Sequence, residues 1–199
     1  MFKIGITGNI GSGKTTVCKV FEVLGIPVFY SDLHAKLVMV EDKELVAGIK
    51  QAFGNEAYAA DQSLNRKHIA DIVFNNQQQL EKLNALVHPA VFRAFDKWVI
   101  QQKNTPYVLK ETAILFESGS YKMCDRNILV SAPLENRVQR VMQRDGVTAQ
   151  EVINRDSRQL SEEKKLTMAD DVIINDDTQL VIPQVLRLHK LYLSIAADK

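Results

Sequence analysis

The stretch Gly8-Asn9-Ile10-Gly11-Ser12-Gly13-Lys14-Thr15 sets glycines, a lysine and a hydroxyl at the spacing Gly-x4-Gly-Lys-Thr. A polyphosphate is enclosed by a loop whose successive amide N–H groups point inward, and glycine permits the backbone angles this needs. Gly8, Gly11 and Gly13 let the chain wrap closely, with Asn9, Ile10 and Ser12 between them. Lys14 is expected to reach the β- and γ-phosphates, and the Thr15 hydroxyl to hold Mg²⁺ as the chain enters a helix with Thr16. The helix dipole adds positive potential at the same place. An apolar run over 2–7 comes before the loop and a helical pattern over 14–24 after it. That strand-to-helix setting separates a phosphate loop from a chance glycine-rich turn. The chemistry expected is the grip of a nucleoside triphosphate.

A phosphate loop serves kinases, switches and motors alike, so other residues must decide. Asp32 follows the second expected strand, and in an open parallel sheet the carboxyl ends of the strands face the ligand crevice. A carboxylate there can take a proton from an attacking hydroxyl or organise Mg²⁺; equally, Asp32 or Ser31 can cap the following helix. Glu111 closes the third strand, where it serves either the Mg²⁺ shell or simply a solvated strand end. Arg137, Arg140 and Arg144 recur at spacings of three and four, so they share one helix face. Such a stripe suits phosphate oxygens on a lid, or lies on a solvated surface. Glu117 can line an acceptor pocket or cap the next helix, and His88 before Pro89 reads as a packed or capping residue.

These side chains need a scaffold, and the pattern supplies one. Of the 199 residues, 46% are hydrophobic and 25% charged, enough for a substantial core in one elaborated domain. Net charge is +1, which gives no general pull toward nucleic acid or membrane, and no apolar run approaches 18 residues. No leader pattern is seen at MFKIGITGN, so a cytoplasmic chain is expected. Cys18 and Cys124 lack CxxC or metal-ligand spacing and read as core thiols, and His34, His68, His88 and His189 form no metal set. Strands are expected over 3–7, 26–30, 107–112, 127–131 and 172–174, alternating with helices over 14–24, from Pro133 and from Ala149, the last through the capping box Thr148–Glu151. This is an α/β parallel sheet covered by helices. A closing helix spans 178–195, with Pro183 in its first turns. Between 31 and 105 the alternation stops, and helical patterns over 33–40, 43–53, 66–74, 78–87 and 90–102 make a helical insertion. Gly54 is expected to stop one of these helices, Asn65 to cap another and Pro89 to begin the last.

Longer stretches carry a resemblance. IGITGNIGSGKTTVCKVFEVLGIPV at 4–28, Ser31-Asp32 with Ala35-Lys36, LNALVHPAV at 83–91, ILFESGSYK at 114–122, RVMQRDGVT at 140–148 and ADDVIIN at 169–175 resemble dephospho-coenzyme A kinases almost end to end. The resemblance implies a three-layer P-loop kinase fold with a five-stranded parallel sheet, in one domain over 1–199. It makes the insertion at about 31–105 acceptor-binding and the segment at about 137–168 a helical lid. It implies transfer of the γ-phosphoryl group of ATP, with Mg²⁺, to the ribose 3′-hydroxyl of dephospho-coenzyme A; the sequence does not fix the oligomeric state, and a monomer is the favoured expectation. Asp32 falls on the family's general base and Arg140 on its lid arginine. Arg144 and Asn175 fall on the nucleotide side, and His88, Leu115, Glu117 and Tyr121 on the acceptor side. There are departures: Tyr30-Ser31-Asp32 stands for Asp-Ala-Asp, Glu111-Thr112-Ala113 for Asp-x-Pro, and Arg158 for a glutamine before the last lid segment. A nucleoside or shikimate kinase would share the loop and lid without LNALVHP. A guanine-nucleotide switch would need NKxD and DxxG sequences, which do not occur.

Overall fold

Phe2, Ile4 and Ile6 are buried, and so are Gly5 between them and Thr7 after them, the pattern of a strand covered on both faces. This strand, β1 (Phe2–Thr7), is the middle of the sheet in the computed structural model, which describes residues 1–74 and 76–198. After it come α1 (Lys14–Val23) and β2 (Val28–Tyr30), then four helices, α2 (Ser31–Glu41), α3 (Lys43–Phe53), α4 (Arg66–Val73) and α5 (Gln77–Gln101). The alternation resumes with β3 (Tyr107–Glu111), β4 (Arg126–Ser131), α6 (Leu134–Asp145), α7 (Ala149–Asp156), α8 (Glu162–Met168), β5 (Asp171–Ile174) and α9 (Val181–Ala197). The five strands run in the order β2-β3-β1-β4-β5 and every pairing is parallel, so all carboxyl ends share one edge. The chain divides into two compact units, Met1–Tyr30 with Gln102–Lys199, and Ser31–Gln101.

In the sheet unit, α1 and α9 pack together and against β3. Val17, Cys18 and Phe21 of α1 and Val185, Leu188 and Tyr192 of α9 join the inward side chains of β1, β3, β4 and β5 in one core. Each large side chain buried there contributes about 1.5–3 kcal/mol. Both cysteines are free thiols, and burial raises the pKa of each, that of Cys124 to about 11, so they behave as core residues. The Tyr107 hydroxyl bonds His189 Nδ1 at 2.7 Å, and burial lowers the His189 pKa. An imidazole held neutral in the fold but protonating near pH 6.5 when unfolded contributes stability above that pH, and the contribution is lost as pH falls below it. Melting temperature is therefore expected to drop between about pH 7 and 5, and His189→Gln to flatten that slope in thermal melts across the range.

In the helical unit, Asp42 and Asn65 cap α3 and α4 by accepting the N–H groups of Leu45 and His68, and Gly54 stops α3 at φ 89°. The helices expected over 78–87 and 90–102 are one 25-residue helix with Pro89 inside it. Pro89 and Ala85, whose carbonyl loses its partner, both lie on the exposed side, where water can satisfy that carbonyl. The starts of the second strand and of the last helix also differ. The second strand starts at Val28, after Pro27, whose carbonyl accepts the Leu109 N–H. The last helix starts at Val181 because the Asp176 carboxylate takes the N–H groups of Thr178 and Gln179 in a turn.

Candidate active site

β1 delivers the chain into the phosphate loop, and Gly13, left-handed at φ 91°, turns it into α1. The first N–H groups of α1 have no intrahelical acceptor and lie at the positive end of its dipole. Gly11 is also left-handed, at φ 80°. A Cβ at Gly8 would meet the Val130 carbonyl, one at Gly13 the Asn175 side chain, and one at Gly11 the Arg137 carbonyl oxygen at 2.5 Å and its Cα at 2.9 Å. The glycines thus serve a second purpose, letting protein press on the loop from outside. Gly11→Ala should destabilise the fold by about 1–3 kcal/mol, since backbone faces the new methyl and φ is positive, and should weaken nucleotide binding in calorimetric titration.

That outer pressure is organised. Arg137, 4% exposed, donates from Nη1 to Asp156 at 2.5 Å and to the Ile10 carbonyl at 3.3 Å, and from Nε to the Ala132 carbonyl at 2.9 Å. Asn9 donates to Asp156 at 3.0 Å and to the Leu160 carbonyl at 3.2 Å. Burial alone would raise the Asp156 pKa, but the Arg137 and Asn9 hydrogen bonds hold it below the usual range. Gln159 accepts the Ile10 N–H at 2.9 Å and donates to the Ala113 carbonyl at 3.2 Å. Ser131 donates to Glu162, and Glu162 lies 3.7 Å from Arg137. The phosphate loop is therefore clamped by the segment joining α7 to α8. Of the stripe expected on α6, Arg137 is an internal strut rather than a surface cation. Arg158 is exposed, and the glutamine that reaches the loop is the next residue, Gln159.

Arg140 donates to the Asn175 carbonyl at 2.9 Å and to Asp177 at 2.6 Å, while its Nη1 is buried without a hydrogen-bond partner. A buried cationic donor left unpaired is costly, and an anionic ligand relieves that cost. Asn175 donates to the Ser12 carbonyl at 2.8 Å, so the end of β5 also holds the loop. Lys14 bends back to the Gly8 carbonyl at 2.7 Å. Thr15 and Thr16 lie exposed in the first turn of α1. Arg144, largely exposed, pairs with its neighbour Asp145 at 2.7 Å.

Glu111 is buried, which excludes the solvated strand end, and it pairs across the sheet with Ile6 and Tyr30. Lys110 points to the opposite face, toward Met123 Sδ at 3.4 Å. Tyr30, standing where the resemblance has an acid, is hydrogen-bonded to Glu22; burial first, then Cys18 and Glu22, raise its pKa and keep it a neutral donor. Glu117 accepts the Leu160 N–H at 2.9 Å and pairs at 3.1 Å with Lys165, which is fully buried. It does not cap the following one-turn helix Ser120–Met123, whose first residue follows Gly119 with no side-chain cap. Leu115 is fully buried against Gly5, and the Tyr121 ring packs on Phe116 at 5.7 Å. No group of three or more His, Cys, Asp or Glu side chains forms a metal cage among the described residues. A hydroxyl and one acid beside a phosphate loop suit Mg²⁺, which keeps waters and takes its other ligands from substrate phosphates.

In the helical unit α2 begins at Ser31, so Asp32 sits within its first turn rather than at a cap. The Asp32 carboxylate is exposed and takes no hydrogen bond from any described residue, and the Ser31 hydroxyl is buried without a partner. His88 lies mid-helix with its ring stacked on Phe92 at 6.4 Å, a packed rather than a capping position. Sequence reasoning passed over Gln159, Asp156 and Lys165. Alternation of charge in a short segment gives no sign that it folds onto a distant loop, although the capping box just before it marked where the preceding helix starts.

Comparison with known proteins follows the same outline. Residues 2–180 match the family model described as CoaE: Dephospho-CoA kinase. A dephospho-CoA kinase of Salinibacter ruber is 42% identical over 180 residues, covering 89% of this chain and 90% of that protein. One of Burkholderia lata is 38% identical, covering 99% and 98%. The solved structure of TT1252 from Thermus thermophilus superposes with a TM-score of 0.80 at 37% identity, covering 97% of this chain and 96% of that one.

Proposed function

The chain belongs to the dephospho-CoA kinase family, the ATP-dependent kinases that complete coenzyme A biosynthesis, and from that premise we propose how its residues share the transfer of the ATP γ-phosphoryl group to the ribose 3′-hydroxyl of dephospho-coenzyme A. The observation that carries the assignment is the clamped loop, with Arg140 Nη1 buried and unpaired nearby in the sheet unit. Residues Gly8 to Thr16 wrap the triphosphate, and Lys14 exchanges the Gly8 carbonyl for β- and γ-phosphate oxygens. Arg140 neutralises charge that develops on the transferring group, and Arg144 and Asn175 border the nucleotide. Asp32, whose carboxylate accepts no hydrogen bond from a described residue, takes the proton of the attacking hydroxyl. His88, inside an acceptor-binding insertion at about 31–105, and Glu117 and Tyr121, later in the chain, serve the acceptor, and Leu115, fully buried, does so only through packing. Segment 137–168 acts as a lid that keeps competing water out. Thr15 and Glu111 would hold Mg²⁺, which when bound supplies positive charge shared between the phosphates.

The working form is a monomer in the cytoplasm, with neither nucleic acid nor membrane as partner. A net charge of +1 gives no general pull toward either, and among the described residues no helix is long and apolar enough to cross a membrane. The test is incubation with ATP, Mg²⁺ and a panel of alcohols. Formation of coenzyme A and ADP is expected; turnover of shikimate or a nucleoside with none of dephospho-coenzyme A would reject the acceptor assignment.

A further inference from the structure

One groove of the helical unit matches a part of the acceptor to which no residue above is assigned. About 440 Å³ in volume, it is lined by Met39 and Val40 of α2 and by Leu64, Ile69, Ala70 and Val73 in and before α4, with Lys36 and Arg66 also bordering it. That volume is ordinary for a small-molecule site. Its lining is apolar and cationic, with no carboxylate. A neighbouring groove of the same unit carries Glu41, Asp42 and Glu44 against Lys43, Arg93 and Lys97, and its Arg93 is already paired with Asp42 and Glu44. The second groove balances its charges within its own lining, whereas the cations of the first face no carboxylate there, which suits a phosphate ester.

Helix α2 links this groove to Asp32. Asp32, Lys36 and Val40 stand at i, i+4 and i+8 and share a face. A rise of 1.5 Å per residue puts Lys36 about 6 Å and Val40 about 12 Å along the axis from Asp32. An acceptor whose ribose hydroxyl meets Asp32 carries its 5′-diphosphate a short way off and an uncharged, amide-linked arm beyond. The order of chemistry along α2 is the same: carboxylate, ammonium, apolar groove. Leu33 and Leu37, exposed on the same helix, extend its apolar surface.

We propose that this groove receives the arm of the acceptor, with Lys36 and Arg66 on its diphosphate and Met39, Val40 and Ile69 under the chain that follows. The inference rests on the reading in which Asp32 activates the acceptor hydroxyl. It makes the groove the element that favours a long diphosphate ester over a plain adenosine nucleotide. Charge-assisted contacts to the diphosphate give binding energy, and filling the apolar trough gives selectivity for the arm.

The test compares wild type, Ala70→Trp and Lys36→Gln, with KM for dephospho-coenzyme A and Ki for adenosine 5′-phosphate as competing ligand. Ala70 is exposed on α4, so a tryptophan there fills the groove without entering the core, and a melting curve checks the fold. Ala70→Trp should raise KM about tenfold, with kcat within about twofold and the Ki of adenosine 5′-phosphate unchanged. Lys36→Gln should raise KM about tenfold and reduce its dependence on salt. An unchanged KM in Ala70→Trp overturns the proposal, as does an equal rise in KM and Ki, which would put the base or ribose in the groove. Wild-type turnover, measured in the same series, reports on the reaction itself. If it is intact while the variants behave as wild type, the groove alone is rejected.

Discussion

Asp32→Asn is expected to lower kcat by about two to four orders of magnitude while the affinity for ATP stays nearly constant, the range for losing a general base. The substitution keeps the shape of the side chain and removes only its ability to hold a proton. Because the carboxylate is exposed and accepts no hydrogen bond from a described residue, little structure depends on it. Its first-turn position in α2 gives it at most the interaction of a charge with a helix dipole, about 0.3–1 kcal/mol. Catalysis and stability therefore separate cleanly in this variant. Single-turnover rates, nucleotide titration and a melting curve on the same preparation would show a large fall in rate with nearly unchanged binding and melting. Normal turnover would remove Asp32 from the chemistry.

Arg137→Ala should act in the opposite sense, on the fold first. Removing one partner of a buried ion pair costs about 3–5 kcal/mol because the other charge is stranded. Asp156 would keep only Asn9 as a donor, and the carbonyls of Ile10 and Ala132 would lose theirs. Against a typical total of about 5–15 kcal/mol, a loss of that size should be plain in chemical denaturation. Arg137→Met with Asp156→Leu and Glu162→Gln should recover much of it, since no unpaired charge remains. The pH dependence follows from the depressed Asp156 pKa. Its contribution is present above the unfolded carboxylate value near 3.9 and is lost as pH falls through the lower folded one. The single variant should lose the part of that acid-range dependence that Arg137 supplies and keep the part from Asn9. A stability change below about 0.5 kcal/mol would show that the pair contributes nothing.

The sequence pattern carried the scaffold well because its signals are local. The phosphate loop, the Thr148–Glu151 capping box, the Asn65 cap and the Gly54 stop each depend on residues within one turn of each other, and all four appear in the structure. Pro89 misled because a proline both begins and interrupts helices, and which it does depends on whether its freed carbonyl faces water. Within the site, the loop was legible and its clamp was not. Asn9 and Asp156 are separated by 147 positions, and Ser12 and Asn175 by 163. Arg137 shared its periodicity with Arg140 and Arg144, yet burial, which periodicity on a charged face does not reveal, gave it a different task.

The central place of β1 has a consequence for how the protein is made. Phe2 pairs with Tyr107, and Ile4 with both Leu109 and Arg126, so the first strand to leave the ribosome has no neighbour until β3 has followed it and lacks its second until β4 is made. At about 5–20 residues per second, translation to residue 111 takes roughly 6–22 s. Throughout that interval Phe2, Ile4 and Ile6 have no sheet to join and are targets for nascent-chain chaperones. Helices α2 to α5 are contiguous in the chain and complete by Gln101, so they can condense while the strand before them still waits.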